Sequence, residues 1–189
     1  MKQIQRDGLL FELVDELAEH GSWCGETHIQ KAAYFLEEMM EVPLNFPYVL
    51  YKHGPFSFDL SDELASMRAD ALLEWEIKPE PYGNTLRTTE ESKRLREKIP
   101  RTMERYRPAI SFVAQKFGQR GVKDLEKIST ALYVTKEMPG GERDVRARRI
   151  TKLKPHIPYD EAEEAVRFVD EMIAEAVQLK GSSELRSRT

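Results

Sequence analysis

The sequence predicts a mainly α-helical protein with one small β-hairpin: a winged-helix-like N-terminal unit elaborated by C-terminal helices. Three observations carry this expectation. Apolar residues recur at the 3.6-residue helical period in one segment after another. A single stretch, EWEIKPEPYGNTLRTT (74–89), alternates at period 2 around a turn-forming cluster. Three helical segments precede that hairpin, the element order of a winged helix-turn-helix.

The first helix is expected over Asp7–Glu19, where Leu10, Leu13, Val14 and Leu17 share a face and HGSWCG stops it at Gly21. The second begins at Thr27, with Gln30 completing a Thr-x-x-Gln capping box. Its stripe is Ile29, Ala32, Ala33, Leu36 and Met40, and Pro43 and Pro47 end it. YVLY (48–51) reads as a short strand expected to pair with the later hairpin. Ser57 is positioned to cap a third helix over Phe58–Leu73, with Leu60, Leu64, Met67, Ala71 and Leu72 apolar. In the hairpin, Trp75 and Ile77 form the inward face and the turn falls at Pro81–Asn84. TEESKRLREKI returns to helix. Met103, Tyr106, Ile110, Val113, Ala114 and Phe117 mark the next, which Pro108 is expected to kink or restart. Leu125, Ile128 and Leu132 define a helix ending near MPGG, ERDVRARRITKLK forms another, and Pro158 and Asp160 open the last. The expected organisation is a winged-helix-like unit at 1–92, a helical extension at 93–180 packed on it as one body, and a mobile tail at 181–189.

With 40% hydrophobic and 33% charged residues, the 189-residue chain has material for a core and a well-solvated surface. No apolar run approaches the roughly 20 residues a bilayer span needs, and the opening MKQIQRDGLLFELVDEL has charges inside its apolar stretch, unlike a signal peptide. A cytoplasmic protein is expected. The lone cysteine, Cys24, excludes an intramolecular disulfide and a cysteine-based zinc site.

Net charge of −4 conceals a strong asymmetry. Residues 1–91 hold 7 Lys/Arg against 18 Asp/Glu, and residues 92–154 hold 18 against 7. Such a layout bears on partners and steering more than on fold. The third helix would meet the major groove in a DNA-reading winged helix, yet it carries Asp59, Asp62, Glu63 and Asp70 against Arg68, and the wing adds Glu74, Glu76 and Glu80 against Lys78 and Arg87. Placing these beside phosphates costs energy, so DNA reading by that helix is disfavoured. The basic segments 93–107 and 143–154 are the alternative contacts for nucleic acid or an acidic partner, through Lys93, Arg94, Arg96, Arg143, Arg146, Arg148, Arg149 and Lys152. The competing reading sets them against the acidic N-terminal half, within or between molecules.

No catalytic constellation emerges. His20, Cys24 and His28 repeat at four-residue spacing, but GSWCG interrupts any helix that would align them, and neither HExxH nor paired CxxC occurs. The acidic pairs Glu37/Glu38, Asp62/Glu63 and Glu163/Glu164 read as solvated helix faces. Nucleophile-elbow, phosphate-loop and dinucleotide motifs are absent. The sequence points to a non-enzyme with no metal or cofactor.

The segment HIQKAAYFLEEMMEVPLNFPYVLYKHGPFSFDLSDELASM (28–67) resembles the Panacea domain of SocA-type antitoxins and related bacterial and phage proteins. Lys31, Ala32 and Tyr34 match its first helix, Tyr51, Lys52, His53, Gly54 and Pro55 its Gly-Pro junction, and Leu60 and Leu64 the helix that follows. Phe56 and Ser61 depart from the pattern. The resemblance covers residues 25–90 and implies a protein partner, such as a toxin encoded by an adjacent gene. From the residues themselves, Lys52–Phe56 reads as a turn: Gly54 supplies positive φ or a close backbone approach, Pro55 fixes the exit, and Tyr51 and Phe56 pack on either side. His53 is expected to cap the helix start or pack, with exposure to a partner as the alternative. A protein-interaction module, antitoxin- or adaptor-like, is the leading expectation, and a nucleic-acid-binding regulator the alternative.

Overall fold

The computed structural model describes residues 1–77 and 83–186, apart from the side chains of 182–186. Among the described residues the protein is mainly helical, with two small two-stranded sheets. In chain order the elements are α1 (Gln3–Glu19), α2 (Glu26–Glu38), β1 (Val49–Tyr51), β2 (Gly54–Phe56), α3 (Phe58–Ala69), β3 (Leu73–Glu76), β4 (Thr85–Thr88), α4 (Glu90–Glu97), α5 (Pro100–Phe117), α6 (Val122–Glu137), α7 (Arg143–Leu153) and α8 (Tyr159–Arg186).

By its internal contacts the chain divides into two units, and the division falls after Val122 instead of at 92/93. The first comprises Met1–Val49 and Phe56–Val122; the second takes Leu50–Pro55 and Lys123 onward. The first is built on α1, whose Leu9, Leu10, Phe11, Leu13 and Leu17 are fully buried. Phe35 of α2 stacks on Phe117 of α5, ring centroids 4.3 Å apart, closing the core. Salt bridges bring α4 and α5 onto the same helix: Arg96 reaches Glu12 and Asp15, and Arg107 reaches Glu12. In the second unit, Leu125, Ile128 and Leu132 of α6, Ala147 and Ile150 of α7, and Ala162, Val166, Val169 and Met172 of α8 are buried.

Several boundaries differ from the sequence reading, each for a local reason. Helix α1 starts one turn earlier because Lys2 N–H donates to Gln5 Oε1, a polar cap that apolar periodicity cannot register. Helix α2 begins at Glu26 on Gly25, so the Thr27–Gln30 box does not form. Gln30 lies on the buried face, and its amide exchanges two hydrogen bonds with the Ser57 peptide: Nε2 donates to Ser57 O at 2.8 Å, and Ser57 N donates to Oε1 at 3.0 Å. Ser57 caps α3 by accepting from Leu60 N–H. That helix ends at Ala69, short of Leu73, where Ala71 turns left-handed.

The strand at 49–51 does not join the later hairpin. It pairs with β2 across Lys52-His53, leaving β3–β4 as a separate antiparallel pair with Leu73 opposite Thr88 and Trp75 opposite Leu86. A close turn at Gly54 offers a nearer partner than the distant hairpin. Leu73, Trp75 and Leu86 share the inward face, Trp75 half-buried, whereas Ile77 lies past β3 and is 81% exposed. The turn residues Pro81 and Tyr82, and the hairpin charges Lys78 and Glu80, lie outside the described residues. Helix α5 runs unbroken through Pro108. Helix α8 continues to Arg186 in place of a tail from 181; residues 187–189 lie outside the described residues.

Candidate functional site

The junction at Lys52–Pro55 belongs to the second unit and is held there by α6 and by the segment that follows α7. Neither Lys52 nor His53 takes positive φ, whereas Gly54 has φ +86°. That is the pattern of a three-residue hairpin loop, a tight turn closed by a left-handed glycine. Glycine is required on packing grounds too. A Cβ at Gly54 would lie 2.8 Å from Ser129 Oγ and 3.3 Å from Thr130 Oγ1, both on α6. Pro55, with no N–H to offer, sits in a two-stranded sheet where an unpaired edge tolerates it.

Beneath the turn lies Lys154, with a side chain 8% exposed. Its ammonium donates to the carbonyl oxygens of Tyr51 and Lys52, the latter at 2.6 Å, and lies 3.8 Å from Glu126 Oε1. Two of the ammonium's N–H donors are thus spent on backbone carbonyls, and Glu126 faces it as an ion pair. Burial holds the Lys154 pKa below its ordinary value, and the Glu126 carboxylate opposes that shift. Glu126 is the hub. Besides Lys154 it accepts from His156 Nε2 at 3.0 Å, and His53 Nδ1 stands 3.5 Å from its other oxygen. Because the carboxylate only accepts, the His156 nitrogen facing it carries the proton. Both histidines remain more than half exposed at the side chain.

The outcome is a backbone fixed from inside while its side chains face outward. Tyr51 is 55% exposed, and Lys52 and His53 are exposed with it. The expectation that Tyr51 packs as an anchor is therefore corrected: β1 lies at the surface and alternates Tyr51 away from the interior. Phe56 is half-buried, edge-to-face with Phe58 at 5.1 Å. His53 caps no helix; it faces Glu126. Lys31 and Tyr34 are buried in the first unit, Tyr34 edge-to-face with Tyr48.

The basic residues are largely committed to acids of their own unit. Lys93 pairs with Glu90, Arg94 with Glu91, and Arg96 with Glu12 and Asp15. In the second unit Arg143 and Arg146 converge on Asp170, Arg148 pairs with Asp144 and Arg149 with Glu137, while Lys152 is exposed. Arg146 is 6% exposed, and its two nitrogens grip both oxygens of Asp170. Burial raises the Asp170 carboxyl, but Arg146 and Arg143 outweigh it and hold the pKa below its ordinary value. Segment 93–107 thus meets the acidic N-terminal half, as complementarity suggests, whereas segment 143–154 finds its acids within the C-terminal region.

His20, Cys24 and His28 each take a separate role. His20 Nδ1 bonds Glu16 O, Cys24 Sγ donates to Val14 O, and His28 bridges Ser22 and Phe117 O. Among the described residues no group of three or more His, Cys, Asp or Glu is placed to hold a metal ion, and no helix is long and apolar enough to cross a membrane. Sequence reasoning missed Glu126, Lys154 and His156, which stand 70 or more residues from the turn and match no local motif. Comparison with family models finds no match, and neither the characterised proteins nor the solved structures include one similar to this chain.

Proposed function

We propose that this protein is a non-enzymatic protein-interaction module, antitoxin- or adaptor-like, with the Tyr51–Pro55 turn as its contact surface. The observation that carries this reading is a turn whose backbone is pinned by Lys154 while Tyr51, Lys52 and His53 stay exposed. A pre-ordered epitope avoids the entropic cost of fixing a loop on binding, and an exposed tyrosine is a common interface anchor. The Panacea-like segment supports the same class of role. The helical order α1–α2–α3 followed by β3–β4 supports a winged-helix-like arrangement of the first unit, used as a scaffold and not as a DNA reader. Exposed Asp59, Asp62, Asp70 and Glu74 oppose a phosphate backbone, and the ion pairs of Arg96, Arg143 and Arg146 leave less charge for nucleic acid.

Co-expression with the product of the adjacent gene tests the reading. The partner should co-purify with this chain, and Tyr51→Ala with Lys52→Ala should weaken the complex at least about tenfold, the scale of one interface anchor. A neighbour that is harmless alone and does not co-purify removes the antitoxin form. Undiminished binding by the folded double variant removes the turn as the contact.

A further inference from the structure

Two arginines of α5 escape the pairing that engages many of the other basic residues. Arg101 and Arg105, one turn apart on α5, are exposed, and neither forms an ion pair among the described residues. They line a cavity of about 400 Å³ together with Gln5, Pro43, Thr102 and Tyr106, all in the first unit, and no carboxylate lines it. The Arg105 guanidinium lies 5.2 Å from the Tyr106 ring centroid, which holds the cation in place. The field there is positive from the backbone as well: Ile99 offers no capping side chain and the first turn of α5 has no acid.

Thr102 adds a neutral donor to the cavity. Lys2 N–H can only donate, and it meets Gln5 Oε1 at 3.0 Å. That fixes the Gln5 amide, so Nε2 donates to Thr102 Oγ1 at 2.9 Å. Thr102 is therefore an acceptor in this contact, and its own O–H has no acceptor among the described residues although the residue is 8% exposed. The Thr102 hydroxyl, held in place by Gln5, lines the same cavity as the two guanidinium groups, and its O–H can donate to an anion placed between them.

We infer that this cavity is a binding site for a phosphate group, carried by a small molecule whose flat or apolar portion lies on Tyr106 and Pro43. Arg101 and Arg105 supply charge-assisted hydrogen bonds, and Thr102 supplies a neutral one. The volume suits a mononucleotide-sized ligand. The site is separate from the turn and stands or falls independently of it.

Titration calorimetry at low salt, with inorganic phosphate and with AMP as probes, tests the assignment. Saturable one-site binding is expected, weakening with salt, and Arg101→Ala/Arg105→Ala should reduce it by at least about tenfold. Thr102→Val should cost about three- to tenfold while Thr102→Ser retains binding, and Lys98→Ala, outside the cavity, should change nothing. AMP tighter than phosphate assigns the ligand to a mononucleotide-like molecule; equal affinity assigns it to phosphate alone, with the ring uninvolved. No saturable binding of either probe, binding undiminished in the double-arginine variant, or binding confined to a single-stranded oligonucleotide overturns the site.

Discussion

Ala71 sits at φ +56° just beyond α3, a conformation in which its Cβ crowds the backbone. The geometry closes the helix: Leu72 N–H reaches back to Met67 O at 2.8 Å, satisfying an end carbonyl. Glycine adopts this conformation without the steric cost. Since Ala71 is exposed, Ala71→Gly removes strain and little else. We expect it to stabilise the protein by about 1 kcal/mol, measured by urea unfolding; a loss of stability would show that the left-handed residue is unstrained. Gly54 is the opposite case. With φ +86° and Ser129 and Thr130 against it, any side chain there both strains the backbone and displaces α6.

Between elements, the stabilising contacts come from polar groups that replace backbone partners. Gln30 joins α2 to the start of α3 by imitating a peptide, and Lys154 joins the hairpin turn to the buried Glu126. Lys154→Met should cost about 3 kcal/mol or more, because it removes the buried ammonium facing a carboxylate at 9% exposure, leaves that carboxylate only His156 and His53, and frees two carbonyls. Adding Glu126→Leu should recover a large part of that loss, since the uncompensated charge is then gone. Simple additivity of the two substitutions in thermal unfolding would refute the buried pair as the hold on the turn. These contacts also mark how far the sequence could be read. Helices with a 3.6-residue stripe, such as α1 and α6, were legible because burial of one face repeats locally, and the Ser57 cap was legible because it acts three residues away. Gln30 was misread as a local cap because its partner lies 27 residues on. Glu126, Lys154 and His156 were not legible at all: nothing near them in sequence names the turn they hold. The strand at 49–51 was legible as a strand but not in its pairing, which Gly54 decides by closing a nearer hairpin.

On the scale of the whole molecule, two buried groups of the first unit set opposing pH dependences. His28, 5% exposed, is neutral: Nε2–H donates to Phe117 O, so Nδ1 accepts from Ser22, and desolvation lowers its pKa to about 4. Unfolded, it takes a proton at its ordinary value near 6.5. Below that value the unfolded state binds more protons, so stability contributed by His28 is lost as pH falls from about 6.5 to about 4. Asp7, 7% exposed, has its pKa raised to about 7 by desolvation and then by the charge and hydrogen bond of Glu63, with Arg6 opposing. Between its ordinary value and about 7 the folded state holds the extra proton, so stability is lost as pH rises through that window. Each slope approaches about 1.4 kcal/mol per pH unit, and over the shared range the two offset. The parent protein should therefore vary little in stability between pH 4.5 and 6.5 from these two groups. Asp7→Asn, which keeps a hydrogen-bond donor toward Glu63 without the charge, should gain on the parent as pH rises to 7 and make acid destabilisation steeper. His28→Gln, which keeps a donor toward Phe117 O, should lose stability overall yet become more stable as pH falls. Unfolding free energies of the three proteins at four pH values across 4.5–7 decide it. Parallel profiles would mean that neither group changes its proton binding on folding.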